Sequence, residues 1–188
     1  PYTTLFRSNS FRNKILEIRK NLTTTQVKEM SANVCKLLLS GDLYRQSQSI
    51  FCYSAVRNEL DLTFFMKEAL RDGKIISLPK VIDKKGVMKF YEIHSINELE
   101  RGTFGILEPS MEKENTIADF ILVPGVVFSE EGDRIGQAGG FYDRFLEKNN
   151  IYSVGICYEF QLFDKIPHEK HDKKMNRIIS EQRDIDIK

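Results

Sequence analysis

Short apolar runs alternate along this chain with longer stretches whose apolar residues recur at helical spacing, and that alternation restricts it to an α/β fold. The runs "SIFCYSA" (49–55), "KIISLPK" (74–80), "GVMKFYEI" (86–93), "DFILVPG" (119–125), "SVGICY" (153–158) and "NRIISE" (176–181) are strand-length, and the last is the expected final strand. A first helix is expected over 9–20. A second opens at Thr23, with Gln26 at capping-box spacing, and carries Val27, Met30, Val34, Leu37 and Leu38 to a stop at Gly41. Asp61 is placed to cap a third helix, whose stripe is Leu62, Phe65, Met66, Ala69 and Leu70 and whose stop is Gly73. A fourth is expected over about 140–149. Strands and helices in this order predict a three-layer αβα domain with a mostly parallel sheet covered on both faces.

The 188 residues suffice for one such core, since chains near this size bury roughly two-thirds of their unfolded surface. Residues 8–188 read as that single domain. Residues 1–7 match no periodicity downstream and read as a non-native segment. A net charge of +1 argues against nucleic acid or an anionic membrane as partner, and the basic groups in "DKK", "EKHDKK" and "IRK" read as solvated faces. The longest apolar stretch, "FILVPGVVF", is broken by Pro-Gly and falls short of the roughly 20 residues that span a bilayer. No signal peptide is expected. Cys35, Cys52 and Cys157 are too few and too isolated for a disulfide framework or a zinc site, and read as buried reduced thiols in a cytoplasmic protein.

Three clusters carry chemistry. The first is "GDRIGQAGGFYDRF" (132–145), which lies in a connection of about fifteen residues after the strand ending at Val123, where roughly two to six is usual. Gly139 and Gly140 stand where a helix begins, so exposed N–H groups and the positive dipole end can hold a phosphate, with Arg134 or Arg144 adding charge. It is not a Walker A loop, since no G-x-x-x-x-G-K-S/T is present, nor a dinucleotide fingerprint, because Ala138 fills the second glycine slot. On glycine spacing alone, a flexible turn and an anion site stand level; a place beyond the carboxyl end of a strand tilts the balance toward phosphate. The second cluster is "YSAVRNELD" (53–61), where Asp61 reads as a cap and Glu59 is free to contact a ligand, although the pattern alone favours a solvated loop acid. The third is "PHEKHD" (167–172), by default a polar loop, in which Asp172 can ligate a hard cation such as Mg²⁺.

Taken together, "LVPGVVFSEEGDRIGQAGGFYDRFL" resembles the signature of the 5-formyltetrahydrofolate cyclo-ligase (methenyltetrahydrofolate synthetase) family. The blocks "SFRNKILEIRKNLT", "YSAVRNELD", "GKIISLP", "GTFGILEP" and "IPHEKHD" are similar to that family's other motifs, in order, over residues 8–181. The resemblance implies a three-layer α/β enzyme that uses ATP as co-substrate and Mg²⁺ to convert 5-formyltetrahydrofolate into 5,10-methenyltetrahydrofolate, ADP and phosphate. It implies an ATP loop of Arg134, Ile135, Gly136, Gln137, Ala138, Gly139, Gly140, Phe141 and Tyr142, with Ser8 and Arg12 from the amino-terminal block. Folate contacts are implied at Ser54, Glu59 and Gln137 to Phe141 (Gln137, Ala138, Gly139, Gly140, Phe141), and metal contacts at Asp143 and Asp172. Asp143, Arg134 and Tyr142 are the expected catalytic group. The expected partners are these small molecules, with no nucleic acid or membrane, and the expected assembly is a monomer or weak dimer.

Two positions depart from the family pattern. The block's leading Lys falls on Ser8, and Ala138 replaces a glycine, a change that costs about 1 kcal/mol or more if the backbone there needs positive φ. The departures admit an alternative, a non-catalytic folate- or nucleotide-binding relative. A sugar-phosphate isomerase on a related scaffold is a third reading, resting on fold analogy alone.

Overall fold

The computed structural model describes residues 2–83, 86–102, 105–137, 139–167 and 173–187, with side chains from Ser10 onward. Its helices are α1 (Tyr2–Lys20), α2 (Thr24–Ser40), α3 (Asp42–Gln46), α4 (Thr63–Arg71) and α5 (Phe141–Lys148). The first seven strands are β1 (Ser49–Phe51), β2 (Ile75–Val81), β3 (Met88–Ile93), β4 (Glu100–Arg101), β5 (Leu107–Glu108), β6 (Glu114–Asn115) and β7 (Phe120–Pro124). The remainder are β8 (Val127–Ser129), β9 (Arg134–Ile135), β10 (Tyr152–Ile156), β11 (Leu162–Phe163), β12 (Arg177–Ile179) and β13 (Asp184–Asp186).

Eight strands form one sheet in the order β13-β12-β10-β7-β1-β2-β3-β6. The run from β12 to β2 is parallel, and β13, β3 and β6 add antiparallel edges. The period-2 pleat sorts the strand residues between two layers. Ile50, Ile76, Phe120, Leu122, Val154 and Ile156 pack with Val34, Leu38, Phe65 and Met66 of α2 and α4. Phe51, Phe90, Ile121, Val123 and Ile178 face the other way, toward Leu146 of α5, Phe128 and Met175. Phe51 and Phe90 stack there with centroids 4.1 Å apart, and Phe145 of α5 leans against both. The αβα architecture expected from the sequence is therefore present.

Several local expectations hold for the reasons given. Thr23 and Gln26 form the capping box of α2 and Gly41 ends it; the Asp61 carboxylate accepts the Thr63 N–H, although the cap position of α4 falls one residue later, on Leu62. Gly73 closes α4 with φ of +77°, and Gly140 and Asn149 bound α5. The three cysteines are buried and free. Three expectations need correction, and one short helix was not foreseen. Helix α1 begins at Tyr2, so it continues through the segment set aside as unpatterned. The short helix α3 follows Gly41 directly. NRIISE is not the last strand, because β13 pairs with β12 and Arg177 spans the pair, its guanidinium bonding Asp184 at 2.5 and 2.6 Å. The long connection after Val123 is not bare loop: β8 and β9 pair as a hairpin, and β11 joins β8 on its other side.

That hairpin is seated by glycines. The ring of Phe128 lies against Gly125 and Gly155, and a Cβ at either would come within 2.6 Å of it. Among the described residues no helix is long and apolar enough to cross a membrane.

Because Phe128 is held from both sides, Gly155→Ala is expected to lower stability by about 1–3 kcal/mol through overpacking, measurable as a fall in the urea midpoint with little change in slope.

Candidate active site

All five parallel strands deliver their carboxyl ends to one edge of the sheet, and two connections meet there. The loop after β1 runs through Ser54 to Asp61; the β8–β9 hairpin after β7 leads into the glycine cluster and α5.

The first loop is bent by two non-glycine residues in the left-handed region, Arg57 (φ 49°) and Asn58 (φ 59°). Such conformations cost roughly 1 kcal/mol or more each and persist only where neighbours hold them. Here the Asn58 amide donates to the carbonyls of Arg19 (3.0 Å) and Leu22 (3.4 Å), and the Tyr158 hydroxyl donates to the Asn58 carbonyl at 2.9 Å. Past this bend Glu59 turns inward and is only 8% exposed. Its carboxylate accepts the Val56 N–H at 3.1 Å and the Gln137 amide at 2.6 Å, and lies 3.6 Å from the Arg19 guanidinium. Burial raises the Glu59 pKa above its ordinary value, while Arg19 and the hydrogen bonds work in the opposite direction.

Beside Glu59 opens a cleft of about 250 Å³. Ser54 and Glu59 give it polar lining, and Val27, Val56, Met66 and Leu99 give it apolar walls. The Ser54 hydroxyl is shielded from solvent and has no hydrogen-bond partner among the described residues. Arg57, Asn58, Asp61 and Thr63 add further polar lining, and an orphaned hydroxyl beside a buried carboxylate and apolar walls suits a flat heteroaromatic ligand with ring N–H groups.

The glycine cluster approaches from the other side. Arg12 of α1 donates from Nε to the Gly136 carbonyl at 3.0 Å, which brings the amino-terminal helix onto the loop. Arg134, 3% exposed, donates to the Pro124 carbonyl at 3.2 Å, pairs with Asp143 and lies 5.9 Å from the centre of the Tyr142 ring. Gly139 (φ +82°) and Gly140 (φ +59°) supply the left-handed turn that starts α5. A Cβ on Gly139 would come within 2.7 Å of the Phe141 ring. The Tyr142 phenol is pushed far up by burial, with the Glu59 charge adding to the effect. It therefore stays protonated at neutral pH.

The structure thus gathers Arg12, Arg134, Gly136, Gln137, Gly139, Gly140, Phe141, Tyr142 and Asp143 along one rim, with Ser54 and Glu59 facing them through the Gln137–Glu59 contact, while Ile135 is buried in the core with Ile15, Val126, Val127 and Ile166. Ala138, Asp172 and the histidines of "PHEKHD" lie outside the described residues, as does the side chain of Ser8, whose backbone belongs to α1. Asp143 is exposed and hard-oxygen in character, as a Mg²⁺ ligand must be, and among the described residues no group of three His, Cys, Asp or Glu could hold a metal by itself.

One reading is overturned in part. Within "IRK", Ile18 and Lys20 are exposed as expected, but Arg19 is fully buried against the loop after β1. A signal existed: Arg19 stands four residues after Ile15, itself 1% exposed, and so shares the buried face of α1. Arg144 was also underplaced. It reaches across to donate to the Gly86 carbonyl at 3.3 Å while its guanidinium covers Phe141, tying the β2–β3 hairpin to the glycine cluster.

Residues 7–181 match the model of the 5-formyltetrahydrofolate cyclo-ligase family. The chain belongs to that family. As a member it is an enzyme, a cyclo-ligase. The NMR structure of the Aquifex aeolicus 5,10-methenyltetrahydrofolate synthetase superposes with a TM-score of 0.87 at 32% identity, covering 96% of this chain and 92% of that one. The 5-formyltetrahydrofolate cyclo-ligases of Haemophilus influenzae and Escherichia coli K12 are each 27% identical over 174 residues, covering 88% of this chain and 93% and 96% of theirs. The cyclo-ligase family match thus spans both connections that build the rim.

The raised pKa of Glu59 has a sign that can be checked. The native carboxyl binds its proton more tightly than the unfolded one, so this residue makes stability fall as pH climbs from 4.5 through the raised value. Urea midpoints followed between about pH 4 and pH 8 should show that decline in the wild type and lack it in Glu59→Gln.

Proposed function

We propose that this chain binds ATP and 5-formyltetrahydrofolate and closes the folate ring to 5,10-methenyltetrahydrofolate, releasing ADP and phosphate. The observation that carries the reading is the 2.6 Å contact between Gln137 and Glu59, which joins the glycine loop to the cleft. A nucleotide on the loop and a folate in the cleft would then meet at that contact.

The chemistry asks mainly for positioning and charge neutralisation. The formyl oxygen is a poor leaving group, so N10 cannot expel it unaided. Transfer of the γ-phosphoryl group forms a bond from phosphorus to the formyl oxygen and breaks the bond to ADP. N10 then attacks the activated formyl carbon, the carbon–oxygen bond breaks, and phosphate departs with that oxygen and takes up the proton that N10 gives up. On this reading the backbone N–H groups at Gly139 and Gly140, with Arg134 and Arg12, receive the phosphates. Glu59 and Ser54 take the N–H and polar groups of the pterin. Tyr142, held protonated by its burial, acts as a hydrogen-bond donor and not as a base.

Asp143, with Asp172 as second carboxylate, would hold Mg²⁺, which takes one or two carboxylates together with substrate phosphates and supplies neutralisation of the triphosphate. Release of Asp143 from Arg134 would free that guanidinium for the transferring phosphoryl group. We further place the reaction in the cytoplasm, in a monomer or weak dimer, with 8–188 as one catalytic domain.

With MgATP and 5-formyltetrahydrofolate, the methenyl absorbance and phosphate release should rise together. Asp143→Asn should reduce kcat by about a hundredfold or more, as loss of one electrostatic group at a transferring phosphoryl commonly does. Glu59→Gln should raise the folate KM about tenfold, in line with loss of a charged hydrogen-bond partner. Wild-type product no greater than that of Asp143→Asn would overturn the proposal, and folate binding without turnover would identify the non-catalytic alternative.

A further inference from the structure

The guanidinium of Arg19 has no exposed surface, yet it belongs to neither the glycine loop nor the cleft lining. It reaches from the last turn of α1 to three backbone carbonyls on two connections. Its Nη2 and Nε donate to the Arg57 carbonyl at 3.1 and 3.3 Å, its Nη2 also to that of Val56 at 3.4 Å, and its Nη1 to that of Gly125 at 3.4 Å. Glu59 stands 3.6 Å away as its carboxylate partner. The left-handed backbone at Arg57 and Asn58 turns these carbonyls inward, and the Asn58 amide returns the contact to the carbonyls of Arg19 and Leu22. The helix end and the loop therefore hold each other.

A buried guanidinium needs every donor met, and removing it would leave inward-facing carbonyls and a buried carboxylate unpaired. We propose that Arg19 is the positioning residue of folate recognition: by joining the loop after β1 to the turn after β7, and by standing beside Glu59, it sets the orientation and charge with which that carboxylate meets the pterin. This rests on the proposed role of Glu59 in binding the folate.

The groups facing Glu59 make Arg19 decisive for its ionisation. Arg57, on the same loop, adds a smaller favourable charge, and Gln137 and the Val56 N–H add hydrogen bonds. Tyr53, Tyr142 and Tyr158 surround the carboxylate as neutral phenols whose own ionisation its charge opposes. Burial already draws the carboxyl toward its protonated form, and Arg19 is the largest influence working against that. Without Arg19 the proton would be held to higher pH.

The test uses Arg19→Met, which retains bulk without charge, and Arg19→Lys, which retains charge without the fork. In ligand-free protein carrying ¹³C-labelled glutamate, with the Glu59 carboxyl signal assigned by its absence in Glu59→Gln, Arg19→Met should titrate about one pH unit or more above wild type. Equilibrium binding of 5-formyltetrahydrofolate near neutral pH should weaken about tenfold or more, as for a charged hydrogen-bond network broken on one side, while ATP affinity stays close to wild type. Arg19→Lys should recover part of both losses. If Arg19→Met does not fold, Arg19→Lys decides the matter: weakened folate binding with intact ATP binding supports the proposal, and unchanged folate binding overturns it. An unshifted Glu59 titration in Arg19→Met, or equal loss of folate and ATP affinity, also overturns it. If wild type binds ATP but no 5-formyltetrahydrofolate, the functional reading falls instead, and the titration alone decides whether Arg19 governs Glu59.

Discussion

The burial of one positive charge organises the functional edge of this enzyme. Arg19 could be left in the interior only because loop carbonyls and a carboxylate are turned toward it, and those groups come from connections far apart in the chain. A charge in that position is costly unless fully paired. The pairing in turn demands a left-handed bend at Arg57 and Asn58, an inward Glu59 and a fixed approach of Gly125. Conformations that would be unfavourable in isolation are thereby held, in the part of the molecule where an orienting carboxylate is useful.

The scaffold that permits this is ordinary in its physics. A parallel sheet buried on both faces brings its strand ends to one edge, and the alternation of β7 between the two core layers shows how little freedom the central strand has. The hairpin between β7 and α5 is pinned by Phe128 between Gly125 and Gly155, so the glycine cluster starts from a rigid base. Gly139 and Gly140, both at positive φ, then turn the chain into the first turn of α5. Arg134 links the hairpin to α5, anchored to Pro124 at one end and paired with Asp143 at the other.

Much of this could be read before any coordinates. The capping box at Thr23, the stop at Gly73 and the apolar run through Val123 are local signals, and each element formed where propensity and spacing put it. The glycine cluster stood out through its place after a strand, and Gly139 and Gly140 do stand where α5 begins. Strand β13 was missed although "DIDIK" alternates polar and apolar: Ile185 and Ile187 pack on the core while Asp184 and Asp186 pair with Arg177. The β8–β9 hairpin was not legible, since its pairing closes over a polar turn stabilised by the Ser129–Asp133 hydrogen bond. Glu59 could be read either as a solvated acid or as a ligand contact, because nothing in the neighbouring residues reveals that the next bend points inward.

The amino-acid sequence by itself determined the layer order, the ends of α2, the stop of α4 and the chemical inventory of the rim, because these depend on periodicity, capping and residue type over a few positions. The burial of Arg19, the meeting of Gln137 with Glu59 and the pinning of Arg144 to the hairpin at Gly86 were decided only by the tertiary structure. Each joins groups distant in the chain, and whether a charged side chain faces water or a ring of carbonyls depends on which surfaces the packed sheet brings against it.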